Sequence, residues 1–368
     1  MAKSRLHQLS ELGQSVWIDY LSRDLLRTGE LARLKDDDAV VGVTSNPTIF
    51  QKALSAGGAY DEQLREELEQ ERDPKELFLR LAVRDVQDAC DVLRTVWDQG
   101  NGRDGYVSLE VDPTLAYDTE ATIAEAIRLH ELVDRPNLFV KIPATEPGLP
   151  AIEGMIARGK SMNVTLIFSL ERYAEVAEAY VRGLERLVDV GGDPARVASV
   201  ASFFVSRVDT EADRRLEEVS APADLQGTLA VANAKLAYQR CHDIFAGDRW
   251  EALAGRGATT QRCLWASTST KNPAYRDVLY VEELIGPQTV NTMPEETILA
   301  FQDHGRVSLT LEGGIDEARE VFRRLAEAGV DYDDVTATLE REGVEKFSDS
   351  FAELLDDISA KSGELVAT

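Results

Sequence analysis

Eight short apolar segments, each followed by longer amphipathic ones, predict a (β/α)8 barrel of the TIM type. Three observations carry the prediction. The candidate strands, 15–21, 39–45, 106–112, 138–143, 162–169, 197–205, 263–267 and 289–293, are rich in Val, Ile, Leu and Phe, and several run apolar without alternation. That is the pattern of parallel strands covered on both faces. The intervening segments place apolar residues at helical spacing. Strand after strand carries a polar residue late in its apolar run, at the end where such a barrel holds its site.

Taken in order, Val16-Trp17-Ile18 leads to Asp19, and Val40-Val41-Gly42-Val43 leads to Thr44-Ser45-Asn46. The long, charged connection 47–105 predicts several helices. The third strand is interrupted by Glu110 and Asp112. In 117–134, Asp118 and Thr119 are cap candidates, and Ile123, Ala126, Ile127, His130 and Val133 share a face, with His130 as a partly buried core residue. The fourth strand holds Lys141, and the fifth holds Asn163 and Thr165, two apart and so on one face. The helix predicted over 170–188 uses Tyr173, Val176, Ala177, Tyr180 and Leu184, and stops at Gly191-Gly192. Ser202 and Arg207 bracket the end of the sixth strand. The connection 206–261 is again helical, with a break at Ala221-Pro222-Ala223. Ser267, Ser269 and Lys271 close the seventh strand. Three further helices follow Pro294, one over 315–328 with Ile315, Ala318, Val321, Phe322 and Leu325 on its face. The expected organisation is one barrel domain over 1–368, with helical insertions at 47–105 and 206–261 and a C-terminal extension from 295.

The chain has 66 Asp+Glu against 40 Lys+Arg, a formal net charge of −26, so a nucleic-acid partner is not expected. An anionic ligand would need a local cationic pocket to overcome that field. Hydrophobic residues make up 43%, too many for a mostly disordered chain. Cys90, Cys241 and Cys263, and His7, His130, His242 and His304, are scattered, with neither a disulfide framework nor paired metal spacing. Residues 1–14 lack an apolar core of leader length, and no run is long enough to span a membrane. The expected location is cytoplasmic.

Lys141 interrupts the apolar run Asn137-Leu138-Phe139-Val140-Lys141-Ile142-Pro143. A charged amine there is costly unless paired, and burial favours the neutral form. A neutral amine can condense with a carbonyl to form a Schiff base. The residues leave plainer readings open beside this one. Lys141 can snorkel to solvent, Asp19 and Asn46 can cap helices, and Glu110 can form a structural ion pair. Asn163 and Thr165 can satisfy backbone groups, Arg207 can pair at the surface, and Ser267 and Lys271 fit ordinary loop chemistry.

Gly42-Val43-Thr44-Ser45-Asn46-Pro47-Thr48-Ile49-Phe50 resembles the first signature of the transaldolases. Val140-Lys141-Ile142-Pro143-Ala144-Thr145, followed by Asn163-Val164-Thr165-Leu166-Ile167-Phe168-Ser169, resembles their second. The matching order runs from about Val16 to Pro294, and the long helical connections look like the longer bacterial branch. The resemblance implies a class I aldolase-like barrel that transfers a dihydroxyacetone unit from a ketose phosphate to an aldose phosphate in the non-oxidative pentose phosphate pathway. The donors would be sedoheptulose 7-phosphate or fructose 6-phosphate, and the acceptors glyceraldehyde 3-phosphate or erythrose 4-phosphate. Lys141 would be the Schiff-base lysine and Asp19 the acid/base at the breaking bond. Glu110, with Thr165 and a water, would shuttle protons. Asn46 and Asn163 would hold the donor hydroxyls, and Ser202, Arg207, Ser267 and Lys271 would sit at the phosphate. No metal or organic cofactor is implied; the partners would be sugar phosphates, and the protein a monomer or homodimer.

Two departures stand out. Ser202-Phe203-Phe204-Val205-Ser206-Arg207 replaces the family's Ser-Pro-Phe-Val-Gly-Arg, and Lys271 stands where a second arginine is usual, without an arginine's bidentate fork. Alternatives from the residues are an aldolase releasing free dihydroxyacetone, a magnesium lyase using Asp19, Glu110 and Asp112, and a non-catalytic sugar-phosphate binder. A carboxylate paired directly with Lys141 would hold the amine charged. The expected link to Glu110 therefore runs through a water.

Overall fold

The apolar segments pair in chain order and close on themselves. Strands β1 (Gln14–Ile18), β2 (Val40–Val43), β3 (Val107–Glu110), β4 (Leu138–Pro143), β5 (Met162–Ile167), β6 (Ser199–Phe204), β7 (Arg262–Ala266) and β8 (Thr289–Met293) form a closed parallel barrel, with β8 pairing back to β1. This is the (β/α)8 class the sequence predicts. The structure, a computed structural model, describes residues 4–367. Residues 1–3, where the stretch read for a leader begins, and residue 368 lie outside the described residues.

Every residue of β1, β4, β5, β6, β7 and β8 is buried, as expected of strands with side chains on one face and helices on the other. Several strands are shorter than expected at their carboxyl ends. β1 stops at Ile18 and β2 at Val43, although Asp19 still donates its N–H to Met293 (2.9 Å) and Thr44 to Ile18 (2.9 Å). Beyond those bonds the chain leaves the sheet, so Asp19, Thr44 and Asn46 stand on the rim. β7 starts and ends one residue earlier than expected.

The helices follow their caps. Thr119–Val133 starts where the Asp118 carboxylate accepts from the Ala121 N–H, and Leu170–Asp189 where the Ser169 hydroxyl accepts from Arg172 N–H. The connection 47–105 folds as Pro47–Ser55, Asp61–Glu67 and Pro74–Gln99. The connection 206–261 folds as Ser206–Glu218, Leu229–Ile244 and Gly247–Ala254, with a short 3-10 turn, Ala223–Leu225, at the expected break. After Pro294 come Glu295–His304, Ile315–Glu327 and the 36-residue C-terminal helix Tyr332–Ala367. Among the described residues no helix is long and apolar enough to cross a membrane.

The amino-terminal end of the barrel is plugged. Arg262 donates to Ser15 Oγ (2.9 Å) and Asp104 (3.0 Å), and Asp104 also accepts from the Trp17 indole (3.1 Å). Trp17 packs near Phe139, which stacks on Tyr106 at 3.8 Å. With that end filled, the opposite mouth is left for chemistry. Trp17 fits only because residue 42 is glycine: an added Cβ would lie 2.4 Å from the indole. Gly42→Ala is therefore expected to destabilise the fold by about 1–3 kcal/mol, as overpacked cores do. Urea unfolding checks this, and an unchanged midpoint would contradict the packing argument.

Candidate active site

Strand register assembles the mouth. Glu110 on β3 pairs with Lys141 on β4, and Lys141 pairs with Asn163 on β5, so three polar side chains stand in one row. Thr165 lies two residues on, beside Pro143. The side chains of Lys141 and Glu110 are only 6% and 5% exposed.

Lys141 Nζ donates to Glu110 Oε2 at 2.8 Å and to the Ser45 carbonyl at 2.8 Å. The contact with Glu110 is direct, which corrects the expectation of a water between them. The reason is register. Neighbouring strands put the two groups opposite each other in a place closed to solvent, where each is the other's best remedy for lost hydration. Phe50, Phe78 and Phe351 border a small cavity against Glu110. Burial accordingly pushes the Glu110 carboxyl above the usual range, opposed by the nearby Lys141 charge.

Asp19 stands half-buried on the rim. Its Oδ1 accepts from Thr44 Oγ1 (2.6 Å), and Thr44 in turn contacts Thr292 Oγ1 (2.6 Å). Burial raises its pKa too, against the Thr44 bond and the charges of Lys141, Arg207 and Lys271. Three of the expected cationic groups, Lys141, Arg207 and Lys271, are thus near enough for their charges to act on this carboxyl.

The remaining candidates divide. Asn163 is buried and oriented, donating to Ser108 Oγ (3.1 Å) and accepting from Ser202 Oγ (2.7 Å). Thr165 Oγ1 is buried without a hydrogen-bond partner among the described residues, an orphan facing the same interior as Asn163. Asn46 serves as a cap: its Oδ1 accepts from Ile49 N–H at 3.0 Å, so the plainer reading holds, with the amide nitrogen still uncommitted to that bond. Arg207 sits just inside the helix Ser206–Glu218, its guanidinium 5.0 Å from the Phe204 ring, with burial lowering its pKa and Asp19 and Glu110 opposing. Ser267, with a left-handed φ of 57°, contacts Ser206 Oγ at 2.9 Å, and Lys271 donates to Ser269 Oγ at 2.6 Å. Asp112 instead turns to Lys75 (2.6 Å) and caps a short turn, apart from Asp19 and Glu110. His130 is half-buried, as expected, and burial lowers its pKa to about 4.

The loop after Asp19 is fixed from behind. Arg23 pairs with the buried Asp85, and Tyr60 donates to Asp85 Oδ2 at 2.8 Å. The sequence reading missed Thr292, Ser108 and Phe347. Thr292 and Ser108 had a signal, polar residues inside apolar strands. Phe347, whose ring centre lies 5.8 Å from Lys141 Nζ, belongs to the C-terminal helix and had none.

Known proteins resemble this chain over most of its length. The family described as transaldolase/fructose-6-phosphate aldolase matches residues 16–358. The chain is 54% identical over 361 residues to a transaldolase of Frankia alni, covering 97% of both chains. It is 56% identical over 351 residues to one of Acidothermus cellulolyticus, covering 95% of this chain and 94% of the relative. A transaldolase of Mycolicibacterium paratuberculosis is 52% identical over 362 residues, 97% of both. With the closed barrel, the row Glu110–Lys141–Asn163 and a match over nearly its whole length, the chain belongs to the transaldolase/fructose-6-phosphate aldolase family, as a transferase.

Proposed function

We propose that this single barrel domain works in the cytoplasm, transferring dihydroxyacetone from a ketose phosphate to an aldose phosphate through a Schiff base on Lys141. The observation that supports it most is the row of Glu110, Lys141 and Asn163 that strand register sets side by side at the buried barrel mouth.

The direct contact of Lys141 with Glu110 reassigns the first proton. Glu110, its pKa raised by burial, takes the proton from Lys141 and leaves a neutral amine. The amine attacks the keto carbon. Glu110, now an acid, returns the proton to the departing hydroxyl, water leaves and the imine forms. Thr165, its hydroxyl unpartnered, is suited to hold that water. Asp19 then takes the proton of the hydroxyl beside the breaking bond. The carbon–carbon electrons move into the protonated imine, and an aldose phosphate leaves. Asn163, fixed by Ser108 and Ser202, holds the remaining three-carbon enamine with Asn46. The enamine attacks an acceptor aldehyde, Asp19 returns its proton, and water releases the product from Lys141. Arg207, Ser267 and Lys271 hold the phosphate against the acidic field of the chain.

Borohydride reduction in the presence of fructose 6-phosphate, followed by peptide mass mapping, tests the reading. A three-carbon adduct on the Lys141 peptide is expected. Modification elsewhere, or none, would overturn the assignment. Product analysis with and without an acceptor aldehyde separates transfer from simple cleavage.

A further inference from the structure

Thr292 stands on β8 and Thr44 follows β2, the two strands that flank β1. Their hydroxyls meet across β1 at 2.6 Å. Thr292 pairs in register with Trp17, and the Asp19 N–H reaches the neighbouring Met293 carbonyl at 2.9 Å. On the other side the Thr44 N–H reaches the Ile18 carbonyl at 2.9 Å. Backbone bonds thus fix the two threonines on either side of Asp19. Thr44 and Thr292 are buried, at 3% and 2% exposure.

A hydroxyl carries a single proton, and an ionised carboxylate only accepts. Thr44 Oγ1 lies 2.6 Å from Asp19 Oδ1 and 2.6 Å from Thr292 Oγ1. While Asp19 is ionised, Thr44 gives its proton to Asp19 and can only accept from Thr292. The donor order therefore runs from Thr292 to Thr44 to Asp19. Each bond in such a chain polarises the next. Without the bond from Thr292, the Thr44 hydroxyl is a weaker donor and is free to turn away from Asp19. The chain ends on Oδ1, so Oδ2 is the oxygen left for a proton from the sugar.

We propose that Thr292 is a positioning residue for the proton transfer: it holds the Thr44 hydroxyl on Asp19 Oδ1 and so assigns the transfer to Oδ2. The inference rests on the acid/base reading of Asp19 above and adds a residue that acts only through another. The hydroxyl proton beside the breaking bond moves to Oδ2 as the carbonyl of the departing aldose forms. The same proton returns to the new alkoxide when the acceptor has added. Both threonines keep their protons throughout. Burial raises the Asp19 pKa, and the bond from Thr44 opposes that rise together with the charges of Lys141, Arg207 and Lys271. Glu110 is the other carboxyl near enough to interact with Asp19.

The test uses Thr292→Val, Thr292→Ala and Thr292→Ser in the full chain, with kcat for fructose 6-phosphate and an acceptor aldehyde followed against pH. In the valine variant ionised Asp19 loses support, so the acid limb of kcat is expected to move up by about half a pH unit. The plateau kcat should fall about three- to tenfold with KM unchanged. Alanine should act the same way, and it answers the question if the valine methyl disturbs the packing. Serine keeps the hydroxyl and should restore both limb and plateau. In a Thr44→Val background, Thr292→Val should move the limb no further, because its effect passes through Thr44. An unmoved limb in the valine and alanine variants, or a loss of kcat that serine does not restore, overturns the proposal. Asp19→Asn is measured alongside. If it keeps the wild-type acid limb, the reading of Asp19 fails and the role of Thr292 falls with it. If that limb vanishes while the Thr292 variants leave it in place, the role of Thr292 alone is lost.

Discussion

Lys141→Ala is expected to lose roughly ten-thousandfold or more in turnover, the scale seen when a covalent nucleophile is removed. Among the described residues no other lysine stands in the buried row with Glu110 and Asn163, and Lys271 is exposed. The structure adds a consequence for folding. Removing the amine leaves Glu110 buried without its partner, which would cost about 3–5 kcal/mol if the carboxylate stayed charged. Glu110 already has a raised pKa, and losing the Lys141 charge raises it further, so the group protonates and escapes much of that cost. The single variant should fold with reduced stability. Lys141→Ala combined with Glu110→Gln should recover stability without recovering activity. Steady-state kinetics and urea unfolding on both variants provide the check. Activity within tenfold of wild type in either would refute the role of Lys141.

Asp19→Asn should lower kcat by about a hundred- to ten-thousandfold, the usual contribution of a positioned general acid–base. The amide can still accept from Thr44, so the rim geometry should survive. The pH behaviour separates chemistry from structure. Folded Asp19 binds its proton more tightly than an unfolded aspartate, because burial raises its pKa above 3.8. Folding stability from this group is therefore largest at low pH and falls as pH rises from about the unfolded value through the folded one. At neutral pH ionised Asp19 works against the fold, and the asparagine variant should be at least as stable as wild type. Activity runs the other way: wild-type kcat should fall as pH drops through the folded pKa, since a protonated Asp19 cannot accept the hydroxyl proton. The variant should lack that limb. A variant that keeps both the acid limb and most of its kcat would remove Asp19 from the mechanism.

Much of the site could be read along the strands. Asp19, Glu110, Lys141, Asn163 and Ser202 each break or end an apolar run. A buried strand leaves few places for a polar group except the open end of a barrel. The helix cap at Asp118 was equally local, because a cap depends on a side chain and the backbone a few residues on. The exact strand ends were not legible, since apolar residues continue past the last ladder bond while the chain turns outward.

The barrel class and the polar residues that end or interrupt its strands were legible along the chain, because hydrophobic period and position within a strand are properties of neighbouring residues. Tertiary structure alone decided who touches whom. Register between β3 and β4 set Glu110 directly on Lys141, where the charge argument from sequence had placed a water. Packing of a helix some 200 residues further on brought Phe347 to Lys141 and to Arg207. Contacts between distant segments depend on how whole elements dock, and no local pattern of residues encodes that.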